Sequence, residues 1–309
     1  MTRKLAIGID LGGTNLRAAL VTRDGTVIKK KKEPTSKTVL DSLVMITGSF
    51  FSEDVAGIGL GVAGFIDRES GTMVDSPNIP VLNGINLLNE MQAKFSVPVF
   101  IENDANAAAL GEKWIGTGKE FSDFVLFTLG TGIGGGIIKD NRLLNVAAEV
   151  GHMTIQAHGE KCFCGNSGCL ETCASARAII SKVISALEKG RESMLRQLHG
   201  GNVYKLTAED IYRIAREGDS LAREALKDAG RCLGIGIANI INILSPHAVI
   251  LAGGLTGAWD IYIQEAIKEA SKRAFRELFE RVKVIPSLLG DDAGVIGSAG
   301  LVFQTGSKE

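Results

Sequence analysis

The hydrophobic pattern predicts short buried strands that end at glycine-rich turns, together with amphipathic helices. Residues 5–28 contain a strand that stops at Asp10, a glycine turn, a second strand, an Asp-Gly hairpin turn and a third short strand. Residues 124–144 repeat this plan around a longer glycine turn, and residues 248–254 again end a strand at two glycines. The two similar three-strand units predict two related α/β domains that face each other across a cleft.

Helical periodicity fills much of the second half of the chain. Thr207 and Asp210 have nearly the spacing of a capping box, which predicts the start of a helix. A second helix is expected from Ser220 onwards, with alanine and leucine on one face, and it ends before Pro246. The most apolar stretch, residues 233–255, is interrupted by asparagines. It therefore predicts a buried helix followed by a strand, and not a membrane span.

Length and composition limit the class of protein. The chain has 309 residues, 45% of them hydrophobic, which is enough for two sizeable cores. A net charge of -1 argues against a nucleic-acid or acidic-membrane partner, and the lysine run at residues 29–32 is interpreted as a solvated strand end. Five cysteines, three of them clustered, favour a reducing compartment. The apolar run before Asp10 is too short for a signal-peptide core, so we expect a cytoplasmic protein.

The most specific chemical pattern is a cluster of potential soft-metal ligands. His152 is followed by Cys162-x-Cys164-Gly-x-x-Gly-Cys169, which supplies three thiols and one imidazole, the set that a closed tetrahedral zinc site requires. Unlinked thiols or a disulfide are the alternatives, and His158 is an alternative histidine ligand. We favour His152, because one of its ring nitrogens could bind Zn²⁺ while the other reaches a ligand hydroxyl.

Glycine turns at strand ends let backbone amides approach an anion, which is why such turns recur around phosphates. Asp10 comes directly before one of these turns, and a carboxylate at the end of a buried strand is costly unless it meets a cation. Mg²⁺ on a nucleotide, held through water, would satisfy it. No Walker-type lysine follows any of the three turns, which excludes a P-loop. An ordinary β-turn is the alternative for each turn taken singly.

Three further carboxylates point to a hydroxyl-bearing ligand. Asp104 follows an apolar strand and opens an alanine-rich helix, so in isolation it would be interpreted as a helix N-cap. Together with Asn103 it is expected to face the same side as Asp10 and to accept a hydroxyl proton during phosphoryl transfer. Glu149 and Glu171 flank the metal ligands and are predicted to bind the hydroxyls of a polyol.

Together these motifs resemble the ROK family of sugar kinases, within the actin-like ATPase superfamily, over nearly the whole chain. Residues 10–15 resemble the first phosphate motif of the family, residues 129–136 the second, and residues 252–255 the adenosine motif. Residues 102–106 resemble the segment that carries the catalytic base. The glycine motifs alone would also fit other actin-like ATPases, whereas the zinc pattern with its flanking glutamates is characteristic of ROK proteins.

The resemblance implies a role for each matching residue. It makes Asp104 the catalytic base, ATP the phosphoryl donor, and Mg²⁺ and structural Zn²⁺ the bound metals. The residues expected at the nucleotide are Asp10, Gly12, Gly13, Thr14, Asn15, Gly130, Thr131, Gly132, Gly253 and Gly254. Those expected at the sugar are Gly64, Asn78, Asn103, Asp104, Glu149, His152 and Glu171. The expected zinc ligands are His152, Cys162, Cys164 and Cys169. Ala63 stands where the family usually has proline, which leaves the stiffness of that sugar-facing loop open.

The fold implied by the resemblance is a two-domain, ribonuclease H-like actin ATPase fold, with a cleft between the domains and a zinc-binding loop over residues 152–169. We expect a small N-terminal α/β domain over residues 1–117, completed by a C-terminal helix over 293–305, and a large domain over 118–292. The family resemblance also implies a homodimer. Some family members are repressors with a helix-turn-helix domain ahead of this core, and we expect none here, since nine residues precede Asp10.

The sequence therefore predicts an ATP-dependent hexokinase that phosphorylates the C6 hydroxyl, with glucose as the acceptor favoured by the family resemblance. Fructose, mannose, allose or an N-acetylhexosamine are alternative acceptors. A sugar-sensing regulator without catalysis and a sugar-indifferent actin-like ATPase are the alternatives from other classes. The expected partners are a sugar and ATP, with no nucleic acid and no membrane.

Overall fold

Two five-stranded sheets and a two-stranded hairpin organise the computed structural model, which describes residues 4–304. The strands are β1 (Leu5–Leu11), β2 (Asn15–Thr22), β3 (Val27–Pro34), β4 (Val55–Val62), β5 (Phe65–Asp67), β6 (Thr72–Asp75), β7 (Val99–Asn103), β8 (Phe124–Leu129), β9 (Ile133–Lys139), β10 (Arg142–Leu143), β11 (Ala248–Ala252) and β12 (Lys283–Pro286). The α-helices are α1 (Val39–Gly48), α2 (Leu87–Gln92), α3 (Asp104–Trp114), α4 (Glu171–Ala174), α5 (Ala176–Glu188), α6 (Ala208–Arg216), α7 (Ser220–Leu244), α8 (Gln264–Arg273), α9 (Arg276–Phe279) and α10 (Ala293–Gln304). The predicted α/β fold class is confirmed.

Contacts within the chain define two compact units. The first contains the described residues up to Leu126, residues 136–148, and the described residues from Ser287 onwards. The second contains residues 127–135 and 149–286. Strands β8 and β9 each contribute residues to both units, so two of the four crossings between the units lie inside strands. The other two follow Ala148 and Pro286.

The predicted domains have boundaries at other residues than these units. The prediction changes domain once after residue 117 and again after residue 292, whereas the unit boundaries fall after Leu126, Gly135, Ala148 and Pro286. The helix predicted over residues 293–305 is α10, which belongs to the first unit. Residue 305 itself lies outside the described residues.

The first sheet brings the candidate carboxylates of the first unit to one edge. Its order is β3-β2-β1-β4-β7, in which β1, β2 and β3 pair antiparallel and β1, β4 and β7 pair parallel. The register places Asp10 of β1 beside Arg17 of β2 and Gly61 of β4, and Gly61 beside Glu102 of β7. The carboxyl ends of the parallel strands therefore hold Asp10 and residues 102–104 at the same edge.

Glycines in β1 and β4 allow α10 to pack directly on this sheet. An added Cβ at Gly8 would lie 1.9 Å from the carbonyl oxygen of Val295, and one at Gly59 would lie 1.7 Å from the carbonyl oxygen of Ser298. An added Cβ at Gly297 of α10 would in turn lie 1.7 Å from the backbone of α3. Both contacts of α10 thus require a residue without a side chain.

Gly59→Ala is expected to destabilise the protein by about 1–3 kcal/mol, because the added methyl group must displace α10 from β4. Urea unfolding measures the effect as a lower midpoint at unchanged slope. Gly48→Ala at the end of α1 is the matched control, since an added Cβ there meets nothing within 4 Å. Equal midpoints for the two variants would contradict the packing described here.

The second sheet has the order β10-β9-β8-β11-β12, with β11 and β12 parallel. Gly253 follows β11 with a φ angle of 94°, in the region that favours glycine. An added Cβ at Gly253 would lie 2.4 Å from the carbonyl oxygen of Leu129, the last residue of β8. The glycine turns after β8 and β11 are therefore close neighbours in the second unit.

The two helices predicted in the second half of the chain are present. A complete capping box starts α6: Asp210 N donates to Thr207 Oγ1 at 3.1 Å, and Thr207 N donates to Asp210 Oδ2 at 3.0 Å. Asp219 caps α7, which ends where Ser245 turns to a φ angle of 45°. None of the helices in residues 4–304 combines the length and the hydropathy needed to cross a bilayer.

Candidate functional site

Asp10 is the last residue but one of β1 and lies in a place where its charge is poorly solvated. Its side chain is 20% exposed, and an added Cβ at Gly294 would lie 2.7 Å from Asp10 Oδ2, so the start of α10 packs against the carboxylate. Burial, and then the charge of Asp104, raise the pKa of Asp10 to about 7, although Arg17 at 3.9 Å acts in the opposite direction. A poorly solvated carboxylate with a second acidic group nearby fits a divalent cation, which would favour its charged form.

Asp104 is the first residue of α3, and the cap of this helix is Asn103. Asn103 Oδ1 accepts hydrogen bonds from Ala105 N at 2.9 Å and from Asn106 N at 3.1 Å. The interpretation of Asp104 as an N-cap is therefore wrong, because the side-chain oxygen of Asn103 accepts the hydrogen bonds of the cap. Burial raises the pKa of Asp104, against hydrogen bonds from the backbone that lower it. Asp104 is thus a carboxylate with enhanced affinity for a proton.

The loop around Gly64 is tied to the start of α3. Asn103 Nδ2 donates to the Gly64 carbonyl oxygen at 3.2 Å, and Gly64 has a φ angle of 132°. The preceding residue is Ala63, whose carbonyl oxygen accepts a hydrogen bond from Ser76 Oγ at 2.7 Å. A buried hydroxyl therefore restrains the loop at the position where the family usually has proline.

The first glycine turn, residues 12–15, has an exposed tip. Gly12 N donates to the Asn15 carbonyl oxygen at 3.0 Å, which closes the turn. Asn78, predicted at the sugar, is exposed and lies against this turn, since an added Cβ at Gly13 would be 2.7 Å from Asn78 Cβ. The structure therefore places Asn78 beside the predicted phosphate motif.

The four predicted zinc ligands come together in the second unit. The ligand atoms of His152, Cys162, Cys164 and Cys169 all lie within 4.8 Å of one another. Cys162 Sγ is 3.6 Å from His152 Nδ1, and Cys164 Sγ is 3.7 Å from Cys169 Sγ. Tetrahedral ligands at about 2.0–2.3 Å from Zn²⁺ are separated by about 3.3–3.8 Å, and the two separations above lie in this range. Within residues 4–304, His158 is not a member of the cluster.

Local backbone geometry presents the two ring nitrogens of His152 to different groups. Gly165 and Gly168 adopt φ angles of 90° and 73°, which lets the loop turn sharply between its cysteines. His152 Nδ1 faces the thiols, while His152 Nε2 is 3.9 Å from Glu149 Oε2. The imidazole thus lies between the thiol cluster and the Glu149 carboxylate.

Glu171 supports the second glycine turn, residues 130–136. Its Oε2 accepts a hydrogen bond from Ile133 N at 2.7 Å, and an added Cβ at Gly132 would lie 2.3 Å from the same oxygen. Glu171 is the first residue of α4, and extended backbone at Ser175 separates α4 from α5. Glu171 therefore connects the Cys-containing loop, which ends at Cys169, to the second glycine turn.

Two residues that adjoin Asp10 are not identified by the sequence pattern. Arg17 Nη1 donates to the Asp291 carbonyl oxygen at 2.7 Å, and a cavity of about 310 Å³ lined by further charged residues lies beside Arg17. The hairpin around residues 12–15 could have predicted Arg17, since its register pairs Arg17 with Asp10. Asp291 lies far along the chain, and only the tertiary structure brings it to this place.

Comparison with known proteins identifies the family. The model of the ROK family matches residues 6–305. The glucokinase of Thermotoga maritima is 35% identical over 98% of this chain and 99% of its own length. A xylose repressor of Caldicellulosiruptor bescii is 38% identical over 81% of this chain and 63% of the repressor. The crystal structure of a ROK family glucokinase from Streptomyces griseus in complex with glucose and AMPPNP has a TM-score of 0.87 and 32% identity, and covers 97% of this chain and 99% of that one.

The fold and motifs are those of an actin-like ATPase with a Cys-His loop. The chain belongs to the ROK family, and the resemblance predicted from its motifs is confirmed. Relatives named as glucokinases and as xylose repressors both match it.

Proposed function

We propose that this protein is an ATP-dependent hexokinase that transfers the γ-phosphoryl group of ATP to the C6 hydroxyl of glucose. The observation that carries the proposal is the pair of Asp10 and Asp104, which interact electrostatically at one edge of the first sheet. One carboxylate is suited to a nucleotide-bound cation and the other to a hydroxyl proton. The similarity to a ROK glucokinase structure with glucose and AMPPNP supports both assignments.

In the proposed reaction, Asp104 accepts the proton of the C6 hydroxyl as that oxygen forms a bond to the γ-phosphorus. The bond from the γ-phosphorus to the β–γ bridging oxygen breaks, and ADP leaves with its electron pair. The raised pKa of Asp104 makes it a better proton acceptor than an ordinary carboxylate. Backbone amides in the turns over residues 12–15 and 130–136 stabilise charge on the phosphates.

The two proposed metals have separate roles. Asp10 would hold Mg²⁺ through water, and the bound ion supplies charge neutralisation for the phosphates. The Zn²⁺ ligands would be His152, Cys162, Cys164 and Cys169. Four protein ligands would leave no open position on a tetrahedral ion, so a bound Zn²⁺ would stabilise the loop and would take no part in the chemical step.

Six residues besides Asp104 are proposed to hold the sugar. They are Gly64, Asn78, Asn103, Glu149, His152 and Glu171. Carboxylate and imidazole groups can accept hydrogen bonds from sugar hydroxyls in a fixed array. Because His152 Nδ1 faces the thiols, a bound zinc ion would orient His152 Nε2 for such a hydrogen bond. The zinc loop thereby determines where part of the sugar site lies.

A second candidate function is sugar sensing without catalysis. The observation that favours it is the 38% identity with a xylose repressor. A sensor would bind a sugar but would not turn over ATP. The retained carboxylate of Asp104, with its raised pKa, favours the kinase.

The proposal is tested by the rate of ADP release from ATP in the presence of Mg²⁺. The rate is measured with glucose, fructose, mannose, allose and N-acetylhexosamines in turn, and without sugar as a control. Strong stimulation by glucose is the expected result, because a base that acts on a sugar hydroxyl has no function without the sugar. Stimulation by another hexose alone would correct the acceptor. Turnover that is indifferent to sugar would indicate an ATPase, and sugar binding without turnover would indicate a sensor.

A further inference from the structure

A buried polar network centred on Glu102 lies directly before the candidate base in the chain. Glu102 is 6% exposed, and its Oε1 accepts hydrogen bonds from Asn103 N at 2.8 Å and from Asn106 Nδ2 at 3.2 Å. The same oxygen is 3.0 Å from Arg68 Nε and 2.8 Å from Arg68 Nη2. A buried carboxylate is tolerated when it is both ion-paired and hydrogen-bonded, and Arg68 supplies the opposite charge.

Arg68 also binds a second segment of the first unit. It follows β5, and its Nη1 donates to Asn145 Oδ1 while its Nη2 donates to the Val146 carbonyl oxygen at 3.0 Å. A planar guanidinium can direct several hydrogen bonds at once, which lysine cannot reproduce. Arg68 therefore connects three separate parts of the chain: the turn after β5, the end of β7, and residues 145–146, which precede Glu149.

The orientation of Asn106 shows how strongly this network is constrained. Its Nδ2 faces two acceptors, Glu102 Oε1 at 3.2 Å and the Val146 carbonyl oxygen at 3.4 Å. Its Oδ1 is buried and has no hydrogen-bond partner among residues 4–304. Reversing the amide would place Oδ1 against both acceptors, so the network enforces the observed orientation. An unsatisfied buried oxygen destabilises a fold, and such a cost is expected where local geometry serves a site.

We propose that Arg68 and Glu102 are positioning residues for the phosphoryl transfer, and that their ion pair sets the place of the Asp104 carboxylate. The inference rests on the proposed function, in which Asp104 is the base. Glu102 holds the amide nitrogen of Asn103, while the side chain of Asn103 caps α3 and bonds to the Gly64 loop. Asn103, the residue before Asp104, is thus held both by its backbone N–H and by its side chain.

Glu102→Gln and Arg68→Met test the proposal by separating kcat from sugar binding. Each is expected to lower kcat by about 10-fold to 100-fold, because small displacements of a reacting group have effects of this size. The Kd for glucose, measured by calorimetry, is expected to stay within about three-fold. The double variant should be no slower than the slower single one, since the two side chains act as a unit. Arg68→Lys keeps the positive charge but loses the planar guanidinium, so we expect a kcat between those of the wild type and Arg68→Met.

Arg276→Met is the matched control, because it breaks an exposed ion pair with Glu280, whose atoms are 2.8 Å apart. It should leave kcat and thermal stability unchanged. The inference is overturned if kcat per folded molecule stays within about two-fold of wild type, or if the single effects add in full. If Glu102→Gln does not fold, the kcat of Arg68→Lys compared with that of the wild type tests the inference instead. Absence of sugar-stimulated turnover in the wild-type protein would instead overturn the proposed function.

Discussion

Asp104→Ala is expected to lower kcat by about 100-fold to 10,000-fold, because the proton acceptor of the proposed reaction is lost. The fold should survive, since the cap of α3 is Asn103 and its two hydrogen bonds do not involve the Asp104 side chain. We expect the Kd for glucose to remain within about three-fold of wild type, because the other proposed sugar residues are unchanged. Initial rates of ADP release and calorimetric titration of glucose measure the two quantities.

Two further variants separate charge from shape in this experiment. Asp104→Asn retains the size of the side chain but cannot accept the proton as a base, and it should be nearly as slow as Asp104→Ala. Asp54→Asn removes an exposed carboxylate from the same unit and should leave kcat unchanged. Turnover near the wild-type rate in Asp104→Ala would show that another group accepts the proton.

Loss of the zinc ligands is expected to have the largest effect on stability. Cys164→Ser should release the metal and lower Tm by at least about 5 °C, because the binding free energy of a structural metal contributes to folding. The loop that carries the four ligands contains exposed residues and sharp glycine turns, so it has little apolar surface of its own. Metal analysis of the purified protein should give one zinc ion per chain, and differential scanning calorimetry measures Tm.

Cys173→Ser is the matched control for the metal prediction. Cys173 lies close in sequence to Cys169, but within residues 4–304 it is not a member of the ligand cluster. Its replacement should therefore leave the zinc content unchanged. Purified wild-type protein without zinc, or equal zinc content in the two variants, would show that the cluster does not bind this metal.

Sequence patterns that span few residues predict much of the candidate site. The spacing from His152 to Cys169 predicted all four members of the thiol and imidazole cluster, because loop geometry alone brings such ligands together. The capping pair Thr207 and Asp210 is present as expected. The cap of α3 was harder to predict, because Asn103 and Asp104 are both good capping residues and the choice depends on the end of β7.

Longer-range features were predicted less well. Extended backbone at Ser175 separates α4 from α5, and Glu171 at the start of α4 accepts a hydrogen bond from a backbone amide of the second glycine turn. Two of the four unit boundaries fall inside β8 and β9, where pairing between distant strands decides to which unit a residue belongs. Neither feature has a local pattern in the sequence.

The sequence by itself determined the glycine turns, the thiol cluster and the family, because each depends on residue types at short spacing. The tertiary structure decided how these parts act on one another. It brought the charges of Asp104 and Asp291 close enough to act on Asp10, placed Ser298 against Gly59, and paired Arg68 with Glu102. Contacts of this kind join residues from distant parts of the chain. They depend on sheet register and helix packing, which no short pattern specifies.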